Sequence, residues 1–323
     1  MGTTIDGIQE AACFLNTYDN FVLIGHISPD GDTLGSCLAL SAGLSRIGKK
    51  CVIAFEDRVP EMYRFLPGAD NIIPPEKVVH FDVAVSVDCA DVFRLGNAKL
   101  LFERAEHTLC IDHHRTNTGF AEKNCILDTA SCGEIIVKIL KYLKIQIDVE
   151  IATDLYTAIT TDTGNLAYRG TTPETFRLMA DVVESGIDIS VLNQRIFRTE
   201  PYKKMRLRAL VIENTKLYLK KKIGIATLSL NEMKVLHCKA EDVEGLIDCI
   251  RDIDTVEVAA LLRECKNGTV RVSLRGKNTA DVSVLAQKHD GGGHRSAAGC
   301  TLEMSLDKAL KLMKSELPAC LPE

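Results

Sequence analysis

The chain has 323 residues, of which 46% are hydrophobic and 26% charged; this is about twice a usual domain length, so two domains with separate cores are expected. The formal net charge of −5 excludes a protein that coats nucleic acid through a general basic surface, but not one that grips a short anion at a local site. Twelve cysteines are scattered without a C-x-x-C pair, and Cys13, Cys51, Cys110 and Cys249 lie in apolar runs, which reads as reduced, buried thiols in a cytoplasmic protein.

The start, MGTTIDGIQEAACFL, lacks the basic head and long apolar core of a signal peptide, and no apolar run reaches membrane-spanning length, so no membrane is expected. FVLIGH (21–26) reads as a strand, followed by the loop ISPDGD and a helical pattern through Leu34, Leu38, Ala42 and Leu44. CVIAF (51–55), FDVAVSVD (81–88) and TLCID (108–112) are further strands, the last two separated by a loop and helix over 94–106. Segments 131–144 and 151–161 carry apolar residues at three- and four-residue spacing and read as helices. Continuous apolar strands alternating with helices predict an α/β fold whose N-terminal domain, residues 1–190, holds a parallel sheet flanked by helices.

Residues 191–216 contain a proline and a dense basic set and read as a partly helical connection to a smaller α/β domain over 217–323. Its strand candidates are 217–230, 256–265 and 269–276, with a helix starting near Ala240. The glycine-rich DGGGHRSAAG (290–299) and a final helix, SLDKALKLMKSEL, close the chain. The basic stretch from Arg195 to Arg208 reads as a solvated face.

The polar residues fall at the strand ends. FVLIG ends in His26, and the loop after it brings Asp30 and Asp32; FDVAVSV ends in Asp88; TLCI ends in Asp112, His113 and His114; Asp162 stands where the helix 151–161 runs out. In an open parallel sheet such groups converge on one crevice at the carboxyl ends of the strands. Each has a plain reading alone, as a hydrogen-bonded histidine, a turn, a helix cap or a helix end, but these plain readings would all have to hold in one sheet. Several carboxylates cannot share a crevice uncompensated, and these strand ends supply too little lysine or arginine. Divalent cations are the natural partner; mixed carboxylate and imidazole donors suit Mn²⁺ better than Mg²⁺ or Zn²⁺. The donors outnumber the needs of one ion, and two ions sharing a carboxylate would use them all.

GHISPDGDTLGS, SVDCAD, IDHH and TDTG, in this order, resemble the DHH phosphoesterase superfamily, and GGGHRSAAG resembles the glycine-rich motif of its DHHA1 domain. The resemblance runs from Phe21 to about Gly299 and is nearest to the bifunctional oligoribonuclease and 3′-phosphoadenosine-5′-phosphate (pAp) phosphatase group. It implies an enzyme with two divalent ions, Mn²⁺ favoured over Mg²⁺, one held by His26, Asp30 and Asp88 and the other by Asp32, Asp88, His113 and Asp162. It gives His114 to the scissile phosphate or attacking water, and Asp112 to orienting the histidines. Arg275, Gly291, Gly292, Gly293, His294 and Arg295 become substrate-binding residues of the second domain, the glycines letting backbone approach a phosphate. Asp290 stands where relatives commonly carry glycine, and Gly276 where serine is frequent, which bears on substrate preference.

The expected reaction is hydrolysis of short single-stranded RNA to mononucleotides and of pAp to AMP, in a protein compatible with a homodimer. Cyclic or linear dinucleotide hydrolysis fits the same residues. A RecJ-type exonuclease is disfavoured by length, a pyrophosphatase by the GGGH element. A reading from another class, an RNA- or nucleotide-binding regulator with a retired centre, expects lost ligands, whereas all six candidates are present.

Overall fold

The structure is a computed structural model and describes residues 4–321. The chain divides into two compact units, the first ending at Thr199 and the second starting at Glu200.

The first unit opens with α1 (Thr4–Thr17), β1 (Asn20–Ile24), α2 (Gly31–Arg46), β2 (Lys50–Ala54) and β3 (Val83–Val87). It continues with α3 (Lys99–Arg104), β4 (His107–Asp112), β5 (Lys123–Ile126), α4 (Cys132–Tyr142), α5 (Val149–Asp162), α6 (Pro173–Val183) and α7 (Ile189–Phe197). Its five strands are all parallel in the order β2-β1-β3-β4-β5. The chain runs outward from β1 to β2 on one side and to β3 on the other, so β1 and β3 flank the point where strand order reverses. Both faces are covered. Phe21, Leu23, Val85 and Leu109 pack into a core with α1, α2, α4 and α5, while Val22, Ile24, Ala84, Leu95 and Phe102 form a second core on the other side. That two-sided burial is why these strands read as unbroken apolar runs.

The second unit contains α8 (Tyr202–Asn214), β6 (Lys216–Tyr218), β7 (Ile223–Leu228), α9 (Leu230–Val235), α10 (Asp248–Arg251), β8 (Val258–Glu264) and β9 (Val270–Gly276). It ends with α11 (Ser283–Lys288), β10 (Gly292–His294), β11 (Ala297–Leu302) and α12 (Leu306–Glu316). Its six strands lie in the order β10-β11-β9-β8-β7-β6, and only β7 and β8 pair in parallel.

The span 191–216 comprises most of α7, all of α8 and the first residue of β6. Leu207 and Val211 of α8 are fully buried in a core with Leu228, Ile250 and Leu261. The single strand expected over 217–230 is a hairpin, because Leu219, Lys220 and Lys221 all adopt positive φ. The helix expected near Ala240 is a 3₁₀ turn, Ala240–Val243, separated from α10 by Gly245 with φ +77°. All twelve cysteines are free. No helix among the described residues is long and apolar enough to cross a membrane.

Candidate metal centre

Three strand ends and two helix ends build the site in the first unit. His26 follows β1 and Asp88 follows β3, one on each side of the point where strand order reverses. Asp30 is the N-cap of α2, its Oδ1 accepting from the N–H of Thr33 at 3.0 Å, as an N-cap aspartate does. Asp32 lies in the first turn of the same helix. Asp112 ends β4 with His113 and His114 next, and Asp162 is the last residue of α5.

Asp88 sits at the middle. Its backbone is left-handed, with φ +56°, a conformation uncommon outside glycine but several-fold enriched for aspartate. Its N–H donates to Ile111 O at 2.9 Å. Its Oδ2 is 3.8 Å from His26 Nε2 and accepts from Thr33 Oγ1 at 2.6 Å. Its Oδ1 is 3.4 Å from His113 Nε2, is buried, and has no hydrogen-bond partner. The other carboxylates divide between the two histidines. Asp30 Oδ2 is 3.8 Å from His26 Nε2, whereas Asp162 Oδ2 and Asp32 Oδ2 are 3.4 and 3.8 Å from His113 Nε2. One carboxylate therefore faces two imidazoles, each with further carboxylates around it. Donor atoms of His26, Asp30 and Asp88 lie close enough together to share an ion, as do those of Asp32, His113 and Asp162.

Both imidazoles are oriented as a metal ligand needs. His26 Nδ1 is 2.7 Å from Ile27 O and His113 Nδ1 is 3.2 Å from Thr129 O. Each carbonyl can hold a proton on Nδ1, so Nε2 faces the carboxylates and is the nitrogen that would give up its proton to an ion. His114 differs, since its Nδ1 is 2.8 Å from Asp112 Oδ1. That carboxylate also accepts from Asn117 Nδ2 at 2.7 Å and is fully buried. Asp112 thus grips His114, and leaves Nε2 of that half-exposed ring as its free nitrogen.

Asp32 is anchored by a helix end. Its two oxygens accept from Cys132 N–H at 2.6 Å and Gly133 N–H at 2.9 Å, at the start of α4, where unsatisfied amides and the helix dipole favour an anion.

The protonation pattern records a charge excess. Burial depresses the His113 imidazole, but Asp88, Asp32 and Asp162 outweigh it and raise its pKa to about 10. His26 is raised in the same manner, its burial overcome by Asp30, the Ile27 carbonyl and Asp88. Burial lifts Asp162 to about 6, with Asp88 and Asp30 adding to it against the pull of His113. Burial and the nearby carboxylates of Asp88 and Asp162 push Asp32 well up, opposed by His113. Asp30 goes to about 2, because His26 and the Thr33 donors overcome its burial. Imidazoles gaining protons and buried carboxylates resisting ionisation are what clustered anions produce without a compensating cation. The Asp88 Oδ1 that lacks a hydrogen bond, the two Nε2 atoms facing carboxylates and the hard oxygen donors fit divalent ions, and no thiolate intrudes.

All the first-domain residues expected from the sequence are brought together here. Sequence reading missed Thr33, whose hydroxyl ties Asp88 and stands 3.2 Å from Asp30 Oδ1. It also missed Asn117, the Thr129 carbonyl and the amides that hold Asp32. Thr33 follows the SPDGD loop directly and was within reach; the others carry no pattern in one sequence.

The second-domain candidates lie in the other unit. Arg275 of β9 is opposite Ala297 of β11, which is opposite His294 of β10, so Arg275 and His294 share one row on one face of the sheet. Arg275 Nε is 3.2 Å from Asp248 Oδ1. Arg295 lies in the turn between β10 and β11, and its guanidinium donates to Thr279 O. The glycines have unequal roles. A Cβ on Gly291 would stand 2.2 Å from Gly299 O and one on Gly293 2.5 Å from Ala297 O, whereas Gly292 meets nothing within 4 Å. Gly291 and Gly293 thus allow the close approach of β11, and Gly292 alone leaves open space.

Residues 20–160 match the family model described as "DHH family, N-terminal domain", and residues 231–318 match the DHHA1 domain. A Thermus thermophilus protein named "Bifunctional oligoribonuclease and PAP phosphatase NrnA" is 30% identical over 300 residues, covering 90% of this chain and 88% of that protein. "Cyclic-di-AMP phosphodiesterase GdpP" of Bacillus subtilis is 25% identical over 315 residues, covering 91% of this chain but 47% of its own length. The structure of an exopolyphosphatase-related protein from Bacteroides fragilis superposes with a TM-score of 0.91 at 23% identity, covering 97% of this chain and 96% of that one; at that identity the likeness speaks for the fold.

Proposed function

The chain belongs to the DHH family, and from that premise we propose that it is a Mn²⁺-dependent phosphoesterase that hydrolyses short oligoribonucleotides to mononucleotides and pAp to AMP. The observation that carries this reading is the Asp88 carboxylate, with one oxygen toward His26 and the other, unpartnered, toward His113. It supports a site for two divalent cations, one of which His26, Asp30 and Asp88 would hold and the other Asp32, Asp88, His113 and Asp162. Such ions supply Lewis acidity and hydroxide at neutral pH.

The protein's own residues do the rest. Ile27 O and Thr129 O hold the two imidazoles in the ligand orientation, and Asp112 with Asn117 holds His114. His114 Nε2 is then the group for hydrogen-bonding a phosphoryl oxygen or the attacking water. Arg275, His294, Arg295 and the open backbone at Gly292 are assigned to the nucleotide's remaining anionic groups, and Gly291 and Gly293 to shaping that loop. The first unit is catalytic in this reading and the second binds substrate. The twelve unpaired thiols support a reducing compartment, taken as the cytoplasm.

Asp88→Asn and His113→Ala are expected to abolish Mn²⁺-dependent hydrolysis of a 5′-phosphorylated dinucleotide while circular dichroism stays that of the parent. Asparagine tolerates the left-handed backbone at 88, so Asp88→Asn isolates the lost charge. Parental turnover by either variant would refute the reading.

A further inference from the structure

One cation at the edge of the acidic centre is held by none of its carboxylates. Arg94 lies in the 3₁₀ segment Val92–Ala98 that follows β3. Its backbone is pinned, the N–H donating to Asp91 Oδ1 at 3.2 Å and the carbonyl accepting from Ile27 N–H at 2.8 Å. These bonds tie the segment to the residue next to His26. The side chain reaches back until Nη2 stands 3.2 Å from His26 Nδ1.

That is the one hydrogen bond of the guanidinium among the described residues, and most of its N–H groups stay open. His26 Nδ1 also lies 2.7 Å from Ile27 O, so the ring nitrogen is shared between two neighbours and engages at most one guanidinium N–H. Arg94 is exposed and makes no ion pair among the described residues, although five aspartates (Asp30, Asp32, Asp88, Asp112 and Asp162) line the centre. A guanidinium held at an anionic site without an ion pair is available to an incoming anion. Charge counting agrees: in the reading above the four ligand carboxylates equal the four positive charges of two divalent ions, and Asp112 behind His114 adds a fifth negative charge, so an incoming anion gains from a further cation.

Resting on the phosphoesterase reading, we propose that Arg94 binds substrate, its guanidinium donating charge-assisted hydrogen bonds to a phosphate oxygen on the His26 side of the centre. Its planar fork suits phosphate, whereas lysine would supply only the charge.

The test measures inorganic phosphate binding to the Mn²⁺-loaded protein by isothermal titration calorimetry, with Mn²⁺ affinity measured separately. Arg94→Gln is expected to weaken phosphate binding roughly tenfold, the loss of about one charge-assisted hydrogen bond. Arg94→Lys should recover part of it, and Mn²⁺ affinity should stay within about twofold of the parent. Unchanged phosphate affinity in Arg94→Gln, or a parent that binds no phosphate, overturns the proposal. So does a variant that loses Mn²⁺ affinity but, once loaded, binds phosphate as the parent does, since Arg94 would then only position His26. A parent that binds phosphate but hydrolyses no nucleotide would instead sink the proposed function, while the variants still decide the role of Arg94.

Discussion

His113 is pulled toward its charged form by three carboxylates at once, and with a pKa of about 10 it keeps its proton at pH 7 in the metal-free protein. A metal ligand must give up that proton. Because the folded-state value lies above neutrality, ion binding at pH 7 should expel protons, and apparent affinity should strengthen as pH rises toward about 10. Calorimetric titration of Mn²⁺ in buffers of different ionisation enthalpy measures this directly. Heats that depend on the buffer are expected; heats that do not would mean that His113 is not displaced from its carboxylates. The donor types and their strand-end positions were legible in the sequence because glycine, aspartate and histidine there break otherwise apolar runs. The residues behind them were not, since Asn117 and the Thr129 carbonyl act through a fold that brings distant segments together. Asp112 is a partial case: its place was evident, but of the two histidines it bonds only His114, while a backbone carbonyl serves His113.

At the scale of elements, the centre depends on how closely two helices approach. α2 carries Asp30 at its cap and Asp32 in its first turn, and α5 carries Asp162 at its end. Gly35 sets their distance, since a Cβ there would lie 2.3 Å from Asp154 O and 3.0 Å from Ala158. Backbone cannot yield as a flexible side chain can, so Gly35→Ala must push the helices apart. Overpacking of this kind costs about 1–3 kcal/mol, and here it would also separate Asp32 from Asp162. The variant is expected to have a lower thermal transition in the first unit together with weaker Mn²⁺ binding, read by scanning and titration calorimetry. Loss of stability with parental metal affinity would show that the helix spacing does not set the site. Elements with strong periodicity were legible from the sequence. The hairpin of β6 and β7 was not, because its turn is built from Leu219, Lys220 and Lys221 rather than from the usual turn residues. The strand Gly292–His294 carries no strand signal, and pairing with β11 makes it one.

The whole molecule joins a parallel-sheet unit bearing the acidic centre to a mixed-sheet unit bearing Arg275 and the glycine-rich strand. The two-domain layout was legible because the sequence style changes between the halves. Substrate choice was not, because the centre commits only to phosphoester chemistry, and relatives alike over most of this chain carry names for different nucleotides. The most direct measurement offers the purified protein with Mn²⁺ five substrates in parallel: a 5′-phosphorylated dinucleotide, pAp, a 24-nucleotide RNA, cyclic di-AMP and pyrophosphate. Turnover of the dinucleotide and of pAp is expected, with the long RNA slow and pyrophosphate untouched. Hydrolysis of cyclic di-AMP or pyrophosphate with no turnover of either the dinucleotide or pAp would contradict the proposed function.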